Sequence, residues 1–339
     1  MTVAGAEAVQ EYDVVVVGAG VAGLTAAMYL ARQGLSVLVV SADLGGQLLQ
    51  ASVIENYPGL EPVSGSDLAL RVKRQAEAFG AKFRLGERIV RIERLESGKF
   101  KLVSSRGRTY IADAVIVASG KTPKRMGVPG EREYEGRGIS YCTICDGPIY
   151  RGRRVAVVGL GYQGLEAASL LADICPAVFY VTPTKAFGSA ELLERLRKAP
   201  NVTVLENHEP VRVEGDGKRV TALVVRDRAT GEEKVLEVEG VFVELGYEAD
   251  TSFVSGLVDL NERGEIVVSK VGETKTPGLF AAGDVTDMPF KQAVISAGMG
   301  AAAALAAINY IHKLRGVDVE VRGDWKKTGK VVKRGSFRL

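Results

Sequence analysis

The sequence has few of the residues that build metal centres, disulfide scaffolds and membrane spans. Its 339 residues include three cysteines, two histidines and one tryptophan, too few for a disulfide-stapled fold. No apolar run reaches the roughly 18 residues that a membrane span needs, and the Ala-rich stretch Gly300–Ile308 is well short of that length. No basic residue precedes Arg32 and no signal-type apolar block opens the chain. We therefore expect a cytoplasmic protein that is not bound to a membrane.

Charge is balanced overall but uneven along the chain. The sequence holds 44 Lys and Arg against 41 Asp and Glu, a net charge of +3, and its apolar content of 46% excludes a disordered chain. No nucleic-acid-reading module precedes the basic tail, so we predict no nucleic-acid binding and expect a solvated tail. The tail has one acid, Asp324, among the basic residues Arg322, Lys326, Lys327, Lys330, Lys333, Arg334 and Arg338.

Two segments share a strand, glycine turn and helix pattern. The first runs from Tyr12 to Gly34 and the second from Arg153 to Cys175, and each is followed by another β-branched run. Such runs predict parallel strands that are buried on both faces and joined by right-handed crossovers. The predicted fold class is therefore α/β, with two Rossmann-like, three-layer nucleotide-binding domains.

Each glycine unit is followed by a predicted hairpin and then by a strand that leaves the domain. These exit strands end at Gly120 and Gly246, and a long apolar helix follows later, from about Ala293 to Lys313. The pattern predicts one domain inserted into the other. The discontinuous domain comprises residues 1–120 and 247–339, and the inserted domain comprises residues 121–246.

The first glycine turn has the G-x-G-x-x-G spacing of a dinucleotide site. Gly18 permits the tight turn, Gly20 lets a pyrophosphate approach the backbone, and Gly23 lets the helix lie close to the sheet. The acid that usually binds ribose hydroxyls at the end of the second strand is replaced by Ser41, and Asp43 is the nearest substitute.

Two later segments favour FAD over a nicotinamide at this turn. Asp284 follows a predicted strand end, where its carboxylate suits a ribityl hydroxyl. Lys291, Gln292 and Ala293 then open the long helix, whose N-terminal amides suit the pyrimidine end of a flavin.

The motif Cys142-Thr143-Ile144-Cys145-Asp146 predicts thiol chemistry. Residues three apart on a helical turn are close enough for a disulfide, and a helix N-terminus lowers a thiol pKa. Asp146 is placed to give a proton to a leaving thiolate. Zinc is the main alternative, but the remaining ligands do not have zinc spacing, so we predict no metal site. These remaining ligands are Cys175, His208 and His312, and we expect Cys175 to be a buried, inert thiol.

Taken together, these segments resemble the low-molecular-weight thioredoxin reductase family over nearly the whole chain. The resemblance rests on the first glycine motif, Gly45–Leu48, Ile54–Gly59, Ala118–Glu131, Cys142–Gly147, and the segments around Asp284 and Gln292. It implies a homodimer with FAD and NADPH domains that alternate between two orientations. It also implies a thioredoxin- or glutaredoxin-like protein partner.

The resemblance implies roles for individual residues. Cys145 would face the flavin, Cys142 would attack the disulfide of the partner protein, and Asp146 would serve as the acid. The FAD contacts that the resemblance implies are Gly18, Gly20, Gly23, Gln47, Asn56, Asp284, Gln292 and Ala293. The further candidate cofactor-binding residues of the first domain are Ser41, Asp43, Gly46, Leu48, Ala118, Gly120, Gly283 and Lys291.

The second glycine unit departs from the family pattern. Gly159, Gly161 and Gly164 have the expected spacing, but the segment from Tyr180 to Gly188 lacks the arginines that clamp an NADPH 2′-phosphate. It also lacks the acid that would bind an NAD ribose. We predict weak or absent NADPH use, with Thr182 and Lys185 as the remaining nicotinamide contacts. A ferredoxin-type donor, or oxygen as oxidant of substrate dithiols, is the alternative.

Two other interpretations are less favoured. The flavoprotein of a peroxide-reducing system normally carries an extra N-terminal thioredoxin-like domain, and only about ten residues precede the first strand here. A non-catalytic nucleotide-binding regulator would have no need of the C-x-x-C-Asp motif.

Overall fold

The structure is a computed structural model that describes residues 9–51, 53–317 and 321. The chain divides into two compact units. Unit 1 comprises Met1–Lys121 and Ala249–Leu339, and unit 2 comprises Thr122–Glu248. The crossing points therefore lie within two residues of Gly120 and Gly246. The predicted basic tail lies outside the described residues.

Unit 1 is built on a seven-stranded sheet. Its strands are β1 (Gln10–Val17), β2 (Val37–Ser41), β3 (Lys82–Leu85), β4 (Ile89–Arg94), β5 (Phe100–Ser104), β6 (Thr109–Val117) and β17 (Leu279–Ala281). They lie in the order β3-β2-β1-β6-β5-β4, and β17 also pairs with β6. The central β-branched strands are parallel, as the continuous apolar runs predict, whereas the β4–β5 hairpin is antiparallel.

Three helices cover one face of this sheet and share one hydrophobic core with it. They are α1 (Val21–Arg32), α2 (Gly65–Ala78) and α6 (Ala293–Leu314). The hydroxyl of Ser64 caps α2 by accepting a hydrogen bond from the Asp67 amide at 3.1 Å. On the opposite face, residues of the sheet itself, including its β4–β5 hairpin, form a second core with apolar residues around Val254 and Ile266.

Helix α6 is longer than the apolar stretch noted in the sequence. Its 22 residues, with a mean hydropathy of 1.6 over the most apolar window, are long and apolar enough to cross a membrane. However, 44% of that window is buried inside the protein, and Ala304, Ala307 and Ile311 are fully buried. Core helices of water-soluble proteins have the same character, so this helix is weak support for a membrane span.

Unit 2 is built on a five-stranded parallel sheet and a three-stranded antiparallel sheet. Its strands are β7 (Thr122–Pro123), β8 (Ile139–Ser140), β9 (Arg154–Gly159), β10 (Ala177–Thr182), β11 (Val202–Glu206), β12 (His208–Gly215), β13 (Val220–Asp227), β14 (Glu233–Glu237), β15 (Gly240–Glu244) and β16 (Tyr247–Glu248). The parallel sheet has the order β11-β10-β9-β15-β8 and the antiparallel sheet the order β12-β13-β14. Strand β7 pairs with β16 where the chain enters and leaves the unit. The helices are α3 (Thr143–Asp146), α4 (Gly161–Ala172) and α5 (Ala190–Lys198).

Candidate active site

The two cysteines of the C-x-x-C motif form a disulfide in unit 2. Cys142 and Cys145 are bonded, with their Cα atoms 5.3 Å apart. Cys142 is the N-cap of α3, and its Sγ accepts a hydrogen bond from the Cys145 amide at 3.2 Å. Helix α3 has only four residues, so its dipole is small. The polar contact of the Cys142 sulfur is the hydrogen bond from the Cys145 amide. Cys145 is exposed and Cys142 is half-buried.

A buried hydroxyl joins Asp146 to the backbone of Cys142. Ser140 lies at the end of β8, and its Oγ accepts a hydrogen bond from the Cys142 amide at 3.1 Å. The same hydroxyl donates to Asp146 Oδ2 at 2.7 Å. The carboxylate of Asp146, the predicted acid, is thus held by Ser140. Ser140 is not part of the C-x-x-C-Asp motif. A serine two residues before the first cysteine was the available signal.

The residue before Cys142 is also held firmly. The Tyr141 hydroxyl donates to Glu131 Oε1 at 2.8 Å and accepts from Arg125 Nη1 at 3.0 Å. Glu131 is buried and also accepts hydrogen bonds from the backbone amides of Met126 and Gly127, both at 2.8 Å. Burial and the neighbouring Glu131 carboxylate raise the pKa of Tyr141, so the phenol stays neutral and keeps donating.

A second carboxyl group, that of Glu244, contacts the redox turn. Glu244, the last residue of β15, accepts a hydrogen bond from the Thr143 hydroxyl at 2.7 Å. Burial raises the pKa of Glu244, the hydrogen bonds from Thr143 lower it, and burial prevails. Thr143 and Glu244 lie 101 positions apart in sequence. No local pattern could have predicted their contact.

The third cysteine lies apart from this chemistry. Cys175 is 3% exposed, and burial raises the pKa of its thiol to about 11. Its thiol donates a hydrogen bond to the Tyr150 carbonyl at 3.3 Å. A thiol with this pKa is protonated and unreactive near neutral pH.

The first glycine turn, in unit 1, leaves room only for glycine at two of its positions. Gly18 has a φ of +107°, and a Cβ there would lie 2.3 Å from the Ala118 carbonyl oxygen. A Cβ on Gly23 would lie 2.0 Å from the Gly18 oxygen, so α1 can approach the turn only because residue 23 has no side chain. Gly20 is open, since the nearest atom to its Cβ position is the Gly45 oxygen at 3.9 Å.

Several predicted flavin contacts from distant parts of the chain meet near this turn. Gln47 Nε2 donates to Asp284 Oδ2 at 3.2 Å, although the two residues are 237 positions apart. Ser296 donates to the other Asp284 oxygen at 2.9 Å. Asn56 Nδ2 likewise donates to the Gln292 side-chain oxygen at 3.2 Å, and Gln292 is the N-cap of α6.

The other predicted cofactor-binding residues of unit 1 differ in exposure and in the contacts they make. Ser41 is buried at the end of β2, whereas Asp43 is exposed and accepts a hydrogen bond from the Gly46 amide at 2.8 Å. The ammonium of Lys291 is bound to the carbonyls of Asp284 and Thr286 and to Glu265. Leu48 and Ala118 are buried, Gly120 and Gly283 have positive φ values, and Ala293 is the first residue of α6.

These groups fit FAD. Gly20 leaves the backbone open to a pyrophosphate, and the amide of Gln47 and the carboxylate of Asp284 form a polar pair. The hydroxyl of Ser119, beside Gly18, is buried without a hydrogen-bond partner among the described residues. A buried unpaired hydroxyl is costly unless a ligand or water satisfies it.

The second glycine turn, in unit 2, is built differently from the first. Here the positive φ, +59°, is at the second glycine, Gly161. Gly159 and Gly164 approach each other closely, since a Cβ on Gly159 would lie 2.7 Å from the Gly164 Cα. The ring of Phe187 lies over Gly161, 3.1 Å from the position of a Cβ. The loop after β10 is therefore folded onto this turn.

The predicted nicotinamide contacts are Thr182, the last residue of β10, and Lys185 in the loop that follows. Thr182 is fully buried, whereas Lys185 is exposed. The loop is anchored through its backbone: the Ala186 amide donates to Glu206 Oε1 at 3.1 Å, and Arg228 donates to the Pro183 carbonyl at 2.9 Å. Glu206 is also ion-paired with Arg197 at 2.8 Å. Lys185 is the one cation within residues 183–189, and the guanidinium of Arg228 contacts the loop from outside at the Pro183 carbonyl.

No cluster of three or more His, Cys, Asp or Glu side chains with the arrangement of a metal site occurs among residues 9–51, 53–317 and 321. The polar clusters described above are held by hydrogen bonds and by lysine or arginine partners.

Comparison with known proteins decides the family. The family described as pyridine nucleotide-disulphide oxidoreductase matches residues 12–307. The chain belongs to this family. Its members are FAD-dependent enzymes, so the protein is a flavin-dependent oxidoreductase with a disulfide centre. Its mixed α/β architecture is that of the thioredoxin reductases, with two Rossmann-type domains.

Two kinds of curated relative are similar to this oxidoreductase. It is 40% identical to the thioredoxin reductase of Aquifex aeolicus, over 88% of this chain and 93% of that protein. It is also 40% identical to a component of the alkyl hydroperoxide reductase of Pseudomonas putida, over 89% of this chain. In that second comparison the chain spans only 58% of the relative's length.

Solved structures give the same picture. The thioredoxin reductase of T. acidophilum has a TM-score of 0.73 and 38% identity, covering 90% of this chain and 99% of that one. The Lactococcus lactis thioredoxin reductase in its FR conformation has a TM-score of 0.75 and 31% identity, covering 89% and 99%. A ferredoxin-flavin thioredoxin reductase from Clostridium acetobutylicum has a TM-score of 0.50 and 30% identity, covering 91% and 100%.

Proposed function

We propose that this oxidoreductase passes electrons from a donor, through FAD and the Cys142–Cys145 disulfide, to a thioredoxin- or glutaredoxin-like protein. The observation that carries the proposal is the Cys142–Cys145 disulfide, whose second cysteine is exposed. Bound FAD supplies the electron pair that opens this disulfide. Similarity to thioredoxin reductases of matching length supports a protein disulfide as the acceptor.

The residues of unit 2 suit a two-step exchange. After reduction, the Cys142 thiolate attacks one sulfur of the partner disulfide, and the other partner sulfur leaves as a thiolate. Cys145 then attacks Cys142, which restores the disulfide and releases the partner dithiol. Asp146, held by Ser140 at 2.7 Å, can take the proton that the Cys142 thiol loses on becoming a thiolate and pass it to the departing partner thiolate. The partner's oxidised sulfurs are reduced, and the cysteine pair is oxidised by the same two electrons.

Single cysteine variants test the order of attack. Cys145→Ser, reduced with dithiothreitol and then freed of it, should form a covalent complex with an oxidised thioredoxin that acid quenching and alkylation preserve, because Cys145 is absent and only the partner's own freed thiol could reverse the mixed disulfide. Cys142→Ser should not trap one. The complex is measured as a dithiothreitol-sensitive mass increase on a non-reducing gel and by mass spectrometry. Turnover of thioredoxin by both variants, or trapping by Cys142→Ser alone, would contradict these roles.

We propose further that NADPH is a poor donor. The loop after β10 itself contributes only Lys185 in place of an arginine clamp, and the loss of two charge-assisted hydrogen bonds weakens binding by about 100-fold or more. A ferredoxin-type donor is the second candidate, supported by the similarity to the ferredoxin-flavin enzyme of C. acetobutylicum.

Anaerobic reduction of the flavin-loaded protein separates these donors. The bleaching of flavin absorbance is followed during titration with NADPH, NADH and reduced ferredoxin. We expect slow bleaching by both nicotinamides. Rapid bleaching by micromolar NADPH would refute the proposal.

Two further properties are proposals. A homodimer follows from the sequence resemblance, and size-exclusion chromatography with light scattering tests it. A peroxide-reducing partner follows from the similarity to the alkyl hydroperoxide reductase component of P. putida. It is tested by offering the reduced enzyme a peroxiredoxin in place of thioredoxin.

A further inference from the structure

The strongest unexplained feature is a carboxylate packed against the redox turn. Glu244 lies at the end of β15, directly opposite Gly159 in β9, and its backbone oxygen accepts the Leu160 amide at 3.0 Å. Its side chain turns to Thr143, whose hydroxyl donates to Oε1 at 2.7 Å. Thr143 is 6% exposed and follows Cys142 directly in the chain. The side-chain carboxyl of Glu244 is therefore hydrogen-bonded to the residue that directly follows the predicted attacking cysteine.

We propose that Glu244 is a positioning residue that holds the redox turn through Thr143 and keeps the Cys142–Cys145 pair strongly reducing. The inference rests on the proposed function only in that this pair must be redox-active. A thiolate beside a carboxylate is destabilised by charge repulsion, so the reduced form gives up its electrons more readily. Thioredoxin-type acceptors have potentials near −270 mV, so a reductase gains driving force from this repulsion.

The charge on Glu244 is separable from its hydrogen bond. In Glu244→Gln the side-chain oxygen still accepts from Thr143, while the charge is lost. We expect the loss of this nearby charge to make the reduced pair about three- to tenfold more stable relative to the disulfide. For a two-electron couple this is a rise in potential of about 15–30 mV.

Glu166 provides a matched control. It lies on α4, is exposed, and is the other acid whose charge acts on Glu244. Glu166→Gln removes one negative charge from the same neighbourhood and does not touch Thr143. We expect it to change the equilibrium by less than about twofold, since exposed charges are screened.

The experiment is a glutathione redox titration of the flavin-loaded protein at equilibrium. Two glutathione thiols reduce the disulfide and leave as glutathione disulfide, so atoms and electrons balance without another reductant. The dithiol fraction is read by alkylation and mass spectrometry of the peptide that contains both cysteines. We expect a three- to tenfold larger equilibrium constant for Glu244→Gln than for the unsubstituted protein, and Glu244→Asp, which keeps the charge, should remain within about twofold.

Each outcome is decisive. If Glu244→Gln changes the constant no more than Glu166→Gln does, or lowers it, Glu244 does not act through its charge and the inference fails. If the pair in the unsubstituted protein does not titrate at all, the proposed function fails instead. Should Glu244→Gln not fold, Glu244→Asp and Glu244→Asn form a second pair that differs only in charge, and the same difference is expected between them.

Discussion

Glu265 is a buried carboxylate in unit 1 whose replacement should destabilise the fold by a calculable amount. It is 1% exposed, and its Oε1 lies 2.8 Å from the ammonium of Lys121 and 3.2 Å from that of Lys291. Asn261 donates to Oε2 at 2.7 Å. Burial alone would raise the pKa of Glu265, but the hydrogen bonds from Lys121, Asn261 and Lys291 outweigh burial and lower the pKa to about 2.

The size and pH dependence of the effect follow from this shift. The pKa falls from its usual 4.5 to about 2 on folding. At about 1.4 kcal/mol per pKa unit, the ionised group contributes roughly 3 kcal/mol to the free energy of unfolding. Because the folded pKa is the lower one, this contribution is complete above the unfolded pKa and is lost as the pH falls from about 4.5 to about 2. Glu265→Gln should therefore lose roughly 3 kcal/mol at neutral pH and progressively less in acid.

Equilibrium unfolding in urea, followed by circular dichroism at several pH values, measures this difference. Glu262→Gln is the matched control, because Glu262 is exposed and only three residues away. We expect the control to change stability by less than about 0.5 kcal/mol. Equal stabilities for the two variants at neutral pH, or a gap that does not shrink in acid, would refute the assignment of the stability to the ionised carboxylate.

Two further predictions concern the glycine turn and the third cysteine. Gly23→Ala would place a methyl group 2.0 Å from the Gly18 oxygen, so we expect this variant to lose its bound flavin, measured by visible absorbance. Gly298→Ala on α6 is the control and should keep its flavin, because the described residues leave open space within 4 Å of the added methyl group. Flavin retained by Gly23→Ala would show that the turn can open. The pKa of about 11 for Cys175 predicts that iodoacetamide modifies two thiols of the reduced, folded protein and the third only after unfolding. A third modification in the folded state, seen by mass spectrometry, would contradict its burial.

Sequence patterns predicted those parts of the fold whose signals are local. The β-branched runs, the glycine turns and the C-x-x-C spacing each specify a conformation within about 20 residues, and the structure shows the strands and the disulfide they predict. The contact of Thr143 with Glu244 and the binding of Glu265 by Lys121 depend on which strand ends and loops meet in three dimensions. The periodicity of a single sequence does not indicate such long-range contacts between side chains.

The two glycine motifs show a different limit. They have the same spacing, yet the left-handed residue is Gly18 in the first and Gly161 in the second. The glycine pattern predicts where a side chain would not fit. It does not predict which of the glycines has a positive φ. The second turn also has a covering side chain that its motif does not predict. This side chain is Phe187, which belongs to the loop after β10.

The pairing of β7 with β16 has a consequence for how this architecture can arise. Thr122 and Glu248, the first and last residues of unit 2, are cross-strand neighbours, as are Pro123 and Tyr247. An insert whose two ends emerge side by side needs only one loop of its host to be opened. The parent sheet keeps its strand order and its register. Unit 2 could therefore be inserted or replaced during evolution while the sequence and fold of unit 1 stay the same.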